Sequence, residues 1–409
     1  MKIKDELKTV GFFYIMTAIY WIAIGFMASY WTLYLSNLGI SFSQISLLLL
    51  LYPISALLFE IPTGAVADLF GRKISVFLSY ALTGLAFIGV LLSGTNFPLL
   101  LFFYFLAGVS FTLESGALEA WFVDTVNHKK KSEHLHYFLG RWGSLSSTGF
   151  VIGPLLGSVF VIGGVEKPFW ATAITMLLLS FFVLLFVKED YFQQKPPKTV
   201  KAFRETLTTS KRGFIYLIKH PVMLTLTIGI GILTLANAIY YNAYQPYVVQ
   251  VGLLPSYLGI ALSVAGFISI FSLNFSDKIK TLVGGSKKLL IISTLLFGFI
   301  ILGVGLIKYL PLLFMSLVGV TALWEFAGHT SPAYREIFNK FAPPDIRATV
   351  ISTNSFNLKI GEIIGLLIFG FVSDNFGLQI EIVLAGLLVI STFFVYSKLS
   401  DKPNVLEID

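Results

Sequence analysis

Among the ionisable side chains that interrupt stretches otherwise apolar, the candidates are Glu114, Glu119, Arg141, Glu325, His329, Lys359 and Glu362. A charge at the centre of a bilayer costs roughly 2.5–3.5 kcal/mol even on the lenient insertion scale, so each needs a partner or a purpose. A carboxyl group taken out of water resists ionisation. It can hold a proton near neutral pH and release it once solvated, which is what coupling to proton movement requires. Glu114 has no charged residue within one helical turn, and Glu325 has only His329 one turn along. Both are candidates for proton coupling or substrate contact; the plainer reading is a hydrogen-bonded acid packed between helices. Glu119 and Arg141 are expected at similar depth and would neutralise each other as an ion pair with a structural or gating role. Lys359 and Glu362 share a helical face with Ser352 and Ser355 and either satisfy each other or form a functional stripe. His329 alone is more ordinary as a packing or hydrogen-bonding residue. None of these groups has metal-ligand spacing, and no cofactor is implied.

Aromatic residues gather in two places: Tyr20, Trp21, Tyr30, Trp31 and Tyr34, then Tyr240, Tyr241, Tyr244 and Tyr247. Asn237, Asn242 and Gln245 interleave with the second group. Such clusters are either interfacial belts or cavity walls. As walls they suit flat apolar or cationic solutes through cation–π contact.

The elements that hold these residues follow from composition. The chain has 409 residues, 56% hydrophobic and 12% charged, with a mean hydropathy of +0.82. Soluble domains carry roughly 25% charge, so the surrounding solvent must be lipid. Runs of about twenty apolar residues read as spanning helices. Twelve are expected, near 10–35, 43–66, 74–93, 97–122, 137–162, 168–187, 221–249, 255–275, 288–307, 309–334, 346–372 and 378–398. The first run is too long for a signal-peptide core and should remain as a span. The alternating ten-residue segments of a membrane barrel are absent from the sequence.

Of the 29 Lys and Arg, Arg141 and Lys359 lie within spans, and only Lys167 and Lys308 fall in loops on one side. The others gather on the opposite side, which places both termini in the cytoplasm and the chain in the cell membrane. The net charge of +7 therefore needs no nucleic-acid partner. The polar stretch from Lys188 to His220 reads as a cytoplasmic linker, partly helical along 200–207, between bundles at 1–187 and 221–409. With no cysteine in the chain, disulfides and thiolate metal sites are excluded. No loop holds a catalytic constellation, and no phosphate-binding loop is present, so neither an enzyme nor an ATP-driven pump is indicated.

The halves echo each other. Glu114 precedes Glu325 by 211 residues, and Arg141, Ser144 and Thr148 precede Ser352, Ser355 and Lys359 by the same interval. Gly149-x-x-x-Gly153 matches Gly361-x-x-x-Gly365, and Tyr30-x-x-x-Tyr34 matches Tyr240-x-x-x-Tyr244. Together these point to a six-plus-six repeat of the kind many transporters share.

Between the second and third spans the chain reads Gly64-Ala65-Val66-Ala67-Asp68-Leu69-Phe70-Gly71-Arg72-Lys73. This resembles the Gly-x-x-x-Asp-x-x-Gly-Arg-Lys signature of the major facilitator superfamily. Gly149-Phe150-Val151-Ile152-Gly153-Pro154-Leu155-Leu156-Gly157 resembles the pattern found in that superfamily's drug:proton antiporters, without its final glycine doublet. The resemblance implies an all-α membrane protein of two pseudo-symmetric six-helix bundles, acting as a monomer on a small molecule and protons within the lipid bilayer. It implies that Asp68 faces the start of the eleventh span, here preceded by Pro343-Pro344-Asp345, and that Arg72 pairs with Asp124. It also implies that the first, fourth, seventh and tenth spans line the transport path, which would place Glu114, Glu325 and His329 there. The second-half counterpart, Asp277-Lys278 with Lys287-Lys288, is degenerate. Gly370-x-x-x-Asp374-x-x-Gly377 resembles the signature too, but falls on the outer side and lacks the basic pair. The expected function is proton-coupled export of amphipathic or cationic molecules; proton-driven uptake of a polar nutrient and a non-transporting membrane sensor or scaffold are the alternatives.

Overall fold

An apolar run in lipid has no solvent to satisfy its backbone, so each folds as a helix whose hydrogen bonds are internal. The computed structural model describes residues 3–189, 213–344 and 346–400, and among them twelve helices are long and apolar enough to cross a membrane. In chain order the helices are α1 (Ile3–Ala28), α2 (Trp31–Asn37), α3 (Phe42–Phe70), α4 (Arg72–Ser93), α5 (Phe97–Ser115), α6 (Ala117–His128), α7 (Leu135–Phe160) and α8 (Lys167–Phe186). They continue as α9 (Pro221–Gln250), α10 (Ser256–Asn274), α11 (Ser276–Val283), α12 (Ser286–Leu306), α13 (Leu310–Ala327), α14 (Pro332–Phe341), α15 (Arg347–Phe376) and α16 (Leu378–Tyr396). No strand occurs among the described residues. The helix expected along 200–207 lies outside them, as does Asp345.

Three spans depart from the sequence reading. The first starts well before residue 10 and stops at Ala28, with α2 restarting at Trp31. The fourth breaks at Gly116 between α5 and α6, and the tenth at Gly328 between α13 and α14. Both glycines have ordinary negative φ, −95° at Gly116 and −74° at Gly328, and at Gly328 the extended ψ of −177° interrupts the helix. At the second, Pro332 opens α14 and the Ser331 hydroxyl accepts the Tyr334 N–H (3.5 Å).

Contacts divide the chain into two units. The first contains the described residues of Met1–Ile40, Leu47–Lys198 and Leu254–Ser263; the second contains those of Ser41–Ser46, Thr199–Leu253 and Val264–Asp409. In the first unit α1 packs along α7 and α8, and α4 along α5 and α8. In the second the same scheme recurs: α9 packs along α15 and α16, and α12 along α13 and α16.

Small residues set the tightest contacts. A β-carbon on Gly157 would lie 2.2 Å from the Phe26 carbonyl oxygen, and one on Gly153 would lie 2.7 Å from the Gly25 Cα. The Gly149–Gly157 series, with Pro154 inside α7, therefore seats α7 on α1. In the second unit Gly365 meets α9 in the same way, 2.4 Å from the Leu235 carbonyl oxygen. With lipid on the outside, packing of this kind is a main source of attraction between helices.

Candidate functional site

Glu114 lies two residues before the break at Gly116, so its carboxylate leaves α5 where the helix is interrupted. It opens onto a cavity of about 220 Å³ in the first unit. Thr17, Tyr20 and Trp21 present one face of α1 to it; Trp142 and Ser146 present one face of α7; Leu118 and Glu119 come from α6. Trp142 is fixed twice: its indole N–H donates to the Thr17 hydroxyl, and its ring stacks on Phe122 at 4.7 Å. Tyr20 meets Trp21 edge-on at 5.6 Å and Tyr80 at 5.5 Å, and Trp21 meets Phe150 edge-on at 5.9 Å. Tyr20 and Tyr80 both lie within electrostatic reach of Glu114. Among the described residues no hydrogen bond or ion pair engages the Glu114 carboxylate. A half-buried acid without a partner, walled by indole and phenol rings, can take up a proton or a flat cation.

Arg141 does not pair with Glu119. Its guanidinium Nη1 donates to both oxygens of Glu6, at 3.1 and 2.9 Å, and to the Tyr137 hydroxyl at 3.1 Å. The Tyr14 hydroxyl donates to the same Glu6 at 3.0 Å. Glu6 is 2% exposed; the sequence reading began the span at residue 10 and so left this acid outside it. Glu119 instead stays exposed on the cavity. The only sequence signal for Glu6 was an acid lying eight residues before Tyr14 on one helical line.

Around the Gly64–Lys73 loop, Arg72 Nη2 meets Asp124 Oδ2 at 3.0 Å, the pairing the family resemblance implies. The half-buried Asp68 makes no hydrogen bond or ion pair among the described residues. Gly71 takes φ 98° as α3 gives way to α4, a conformation that favours glycine. Gly64 has open space where a β-carbon would stand. Glu189, placed by sequence in the linker, caps α4: its carboxylate accepts the N–H groups of Arg72 (3.1 Å) and Lys73 (2.9 Å). An acid at a helix start satisfies free N–H groups and complements the helix dipole.

In the second unit Glu325 lies three residues before the break at Gly328. It accepts the Thr330 hydroxyl at 3.4 Å and is not joined to His329. The His329 ring packs edge-on against Trp324 at 6.2 Å. Lys359 and Glu362 are both half-buried on α15, and among the described residues no ion pair joins them. Asn357, on the same helix, donates to the Thr227 carbonyl at 3.0 Å and ties α15 to α9. On α11, outside the spans, hydrogen bonds to Glu336 (3.1 Å) and Asp277 (3.2 Å) raise the Lys280 ammonium above the ordinary lysine range.

The aromatic groups separate. Tyr30 and Tyr34 are buried, and Trp31 packs edge-on against Phe87 and Tyr104, each at 5.5 Å. These three are core of the first unit and do not line the Glu114 cavity, which takes Tyr20 and Trp21 from the same run. In the second unit Tyr240 and Tyr244 stack at 5.2 Å, both buried, while Tyr241 is 37% exposed. Asn237 is half-buried, and the Asn242 amide donates to the Ala238 carbonyl at 2.7 Å.

A family profile described as Major Facilitator Superfamily matches residues 10–365. An uncharacterized MFS-type transporter of Bacillus subtilis, YxaM, is 25% identical over 411 residues, covering 98% of this chain and 99% of that protein. The quinolone resistance protein NorA of Staphylococcus aureus is 22% identical over 378 residues, 90% of each chain. Among solved structures, the nucleoside transporter NupG superposes with a TM-score of 0.74 at 12% identity, covering 95% of this chain and 98% of that one. At that identity the likeness is one of fold.

Proposed function

The chain belongs to the Major Facilitator Superfamily, whose members are secondary transporters working by alternating access, and on that premise we propose that it exports amphipathic, cationic small molecules in exchange for protons. The observation that carries this reading is the unpartnered Glu114 carboxylate on a cavity walled by Tyr20, Trp21 and Trp142. One carboxylate cannot hold a proton and a cation together, so the two compete and their movements are coupled. The rings add cation–π attraction. Similarity to NorA, named as a quinolone resistance protein, supports export. Proton-driven uptake of a polar nutrient, which would use Asn237, Asn242, Gln245 and Lys359, is the alternative reading. The Lys and Arg distribution supports a cell-membrane protein with both termini in the cytoplasm, and one chain of two bundles, 1–187 and 221–409, is the proposed transport unit.

The test uses purified protein in liposomes that hold a pH-sensitive dye, under an imposed proton gradient. Tetraphenylphosphonium should drive proton release in the wild type, and Glu114→Gln should abolish it while leaving the protein folded. Unaltered proton release in Glu114→Gln would remove Glu114 from the coupling site. A response to polar metabolites alone would turn the reading toward nutrient uptake.

A further inference from the structure

The starts of α4 and α12 are built alike and finished differently. α4 packs along α8 in the first unit, and α12 along α16 in the second. Each begins after a glycine of positive φ, Gly71 at φ 98° and ψ 153°, Gly285 at φ 114° and ψ 169°. An ion pair to the short helix after a break stands beside each: Arg72 with Asp124 on α6, and Lys280 with Glu336 on α14. The two acids lie 212 residues apart. A helix start leaves its first N–H groups without partners inside the helix. In the first unit the chain supplies the acceptor itself, because Glu189, three residues beyond α8, takes the N–H groups of Arg72 and Lys73. In the second unit the stretch beyond α16 brings Leu399 and Ser400 to the α12 start, and neither carries a carboxylate. Among the described residues no side chain accepts the first N–H groups of α12.

A cavity of about 260 Å³ opens there instead. Lys280 of α11, Lys287 of α12 and Lys340 of α14 line it together with the α12 start. Three cations from three helices therefore meet one lining acid, Glu336, which Lys280 already holds at 3.1 Å. The other partner of Lys280, Asp277, points to solvent with 96% of its side chain exposed. Lys287 donates to the Leu399 carbonyl, and Lys340 lies over the Phe341 ring at 5.7 Å. Among the described residues neither of these two makes an ion pair. A β-carbon on Gly285 would meet nothing within 4 Å, so space is open at the helix start. Lysine charges gathered in a recess, beside free N–H groups at the positive end of a helix, suit a group with several anionic oxygens.

We propose that this cavity binds a phosphate-bearing anion, whose oxygens take on α12 the place that the Glu189 carboxylate takes on α4, with Lys287 and Lys340 as counter-charges. Such a group is carried by an anionic phospholipid or arrives from solution as free phosphate. α11 fits the lipid source: it buries none of its residues and leaves Leu282 86% exposed, as a helix at headgroup level does. Lysines beside a spanning helix also attract anionic headgroups. Every residue that lines the cavity belongs to the second unit, so the site is complete within it.

Native mass spectrometry of the delipidated full chain in detergent would count bound phosphatidylglycerol against phosphatidylcholine, and equilibrium dialysis against radiolabelled inorganic phosphate would read the soluble source. Phosphatidylglycerol retained in preference to phosphatidylcholine identifies the lipid; saturable phosphate binding without a lipid preference identifies the free anion. With either probe, Lys287→Gln combined with Lys340→Gln should weaken binding roughly ten- to thirtyfold, the scale of two lysines facing an anionic headgroup. Lys8→Gln combined with Lys130→Gln, which removes the same charge from exposed positions of the first unit, should leave binding unchanged. Ser400→Glu, which gives the second unit the carboxylate that the first already has, should weaken binding with every lysine in place. No binding of either probe, equal losses in the two double variants, or full binding in both Lys287→Gln/Lys340→Gln and Ser400→Glu would overturn the proposal. Asp401, the next residue in sequence, lies outside the described residues. Binding seen in Asp401→Asn but not in the wild type would put the chain's own acid in the site in place of a ligand, and would overturn the proposal as well.

Discussion

Breaking the Glu6–Arg141 contact decides between two assignments for the same arginine. The perturbations are Arg141→Met, Glu6→Gln and their combination, with Glu119→Gln as the comparison. Glu6 is 2% exposed and accepts two contacts from Arg141, at 3.1 and 2.9 Å, and one from Tyr14 at 3.0 Å. A hydrogen bond to a charged group is worth ~1.5–3 kcal/mol. Arg141 is 48% exposed, so water partly replaces what it loses, but its removal leaves the buried Glu6 carboxylate without its cation, and Arg141→Met should destabilise the first unit. Glu6→Gln keeps an acceptor for both donors and should cost about 1 kcal/mol. The double variant should fall short of additivity by about 1 kcal/mol, outside the ~0.3–0.5 kcal/mol scatter of independent sites. Thermal unfolding in detergent, followed by tryptophan fluorescence, is the assay. Of the 6 tryptophans, all but Trp324 lie in the first unit, so the signal reports the unit that holds the contact. At about 2–4 °C per kcal/mol for a cooperative unit of ~150–250 residues, Glu6→Gln should lower the midpoint by about 2–4 °C, and Arg141→Met should lower it as well. Additivity between Glu6 and Arg141, with coupling between Glu119 and Arg141 in its place, would refute the assignment and restore the pair expected from sequence.

Gly157→Ala places a methyl 2.2 Å from the Phe26 carbonyl oxygen and should destabilise the first unit by about 1–3 kcal/mol through overpacking. Gly140→Ala, on the same helix with open space around it, should be neutral or stabilising because alanine is the better helix former; equal midpoints for the two variants would contradict the α1–α7 seam. Asp68→Asn should lower transport rates while leaving equilibrium substrate binding unchanged, and transport at the wild-type rate would remove Asp68 from control of the conformational cycle.

The twelve spans were legible because length and apolarity are properties of a run, and a run can be read without knowing its neighbours. The Gly64–Lys73 loop was legible as a turn, with Gly71 taking the φ of 98° that favours glycine, while the Arg72–Asp124 pair was legible only through the family resemblance. The breaks beside Glu114 and Glu325 were not, since a glycine within an apolar run reads equally well as a packing residue. Nor was the separation of the aromatics: Tyr20 and Tyr30 lie ten residues apart in one run, yet the stop at Ala28 sends the first to a cavity and the second into the core.

Sequence alone thus determined that lipid surrounds this chain, where it crosses, and which residues could carry charge within the membrane. Tertiary structure decided which partner each charge takes. Glu6 sits among Lys2, Lys4 and Lys8 and reads as solvated until α7 brings Arg141 to it across 135 residues. Asp374 reads as a loop acid until α3 presents its first N–H groups, 332 residues earlier in the chain. Hydrogen bonds act over a few ångströms in space and are indifferent to separation along the chain, so only the folded arrangement selects among the candidates a sequence supplies.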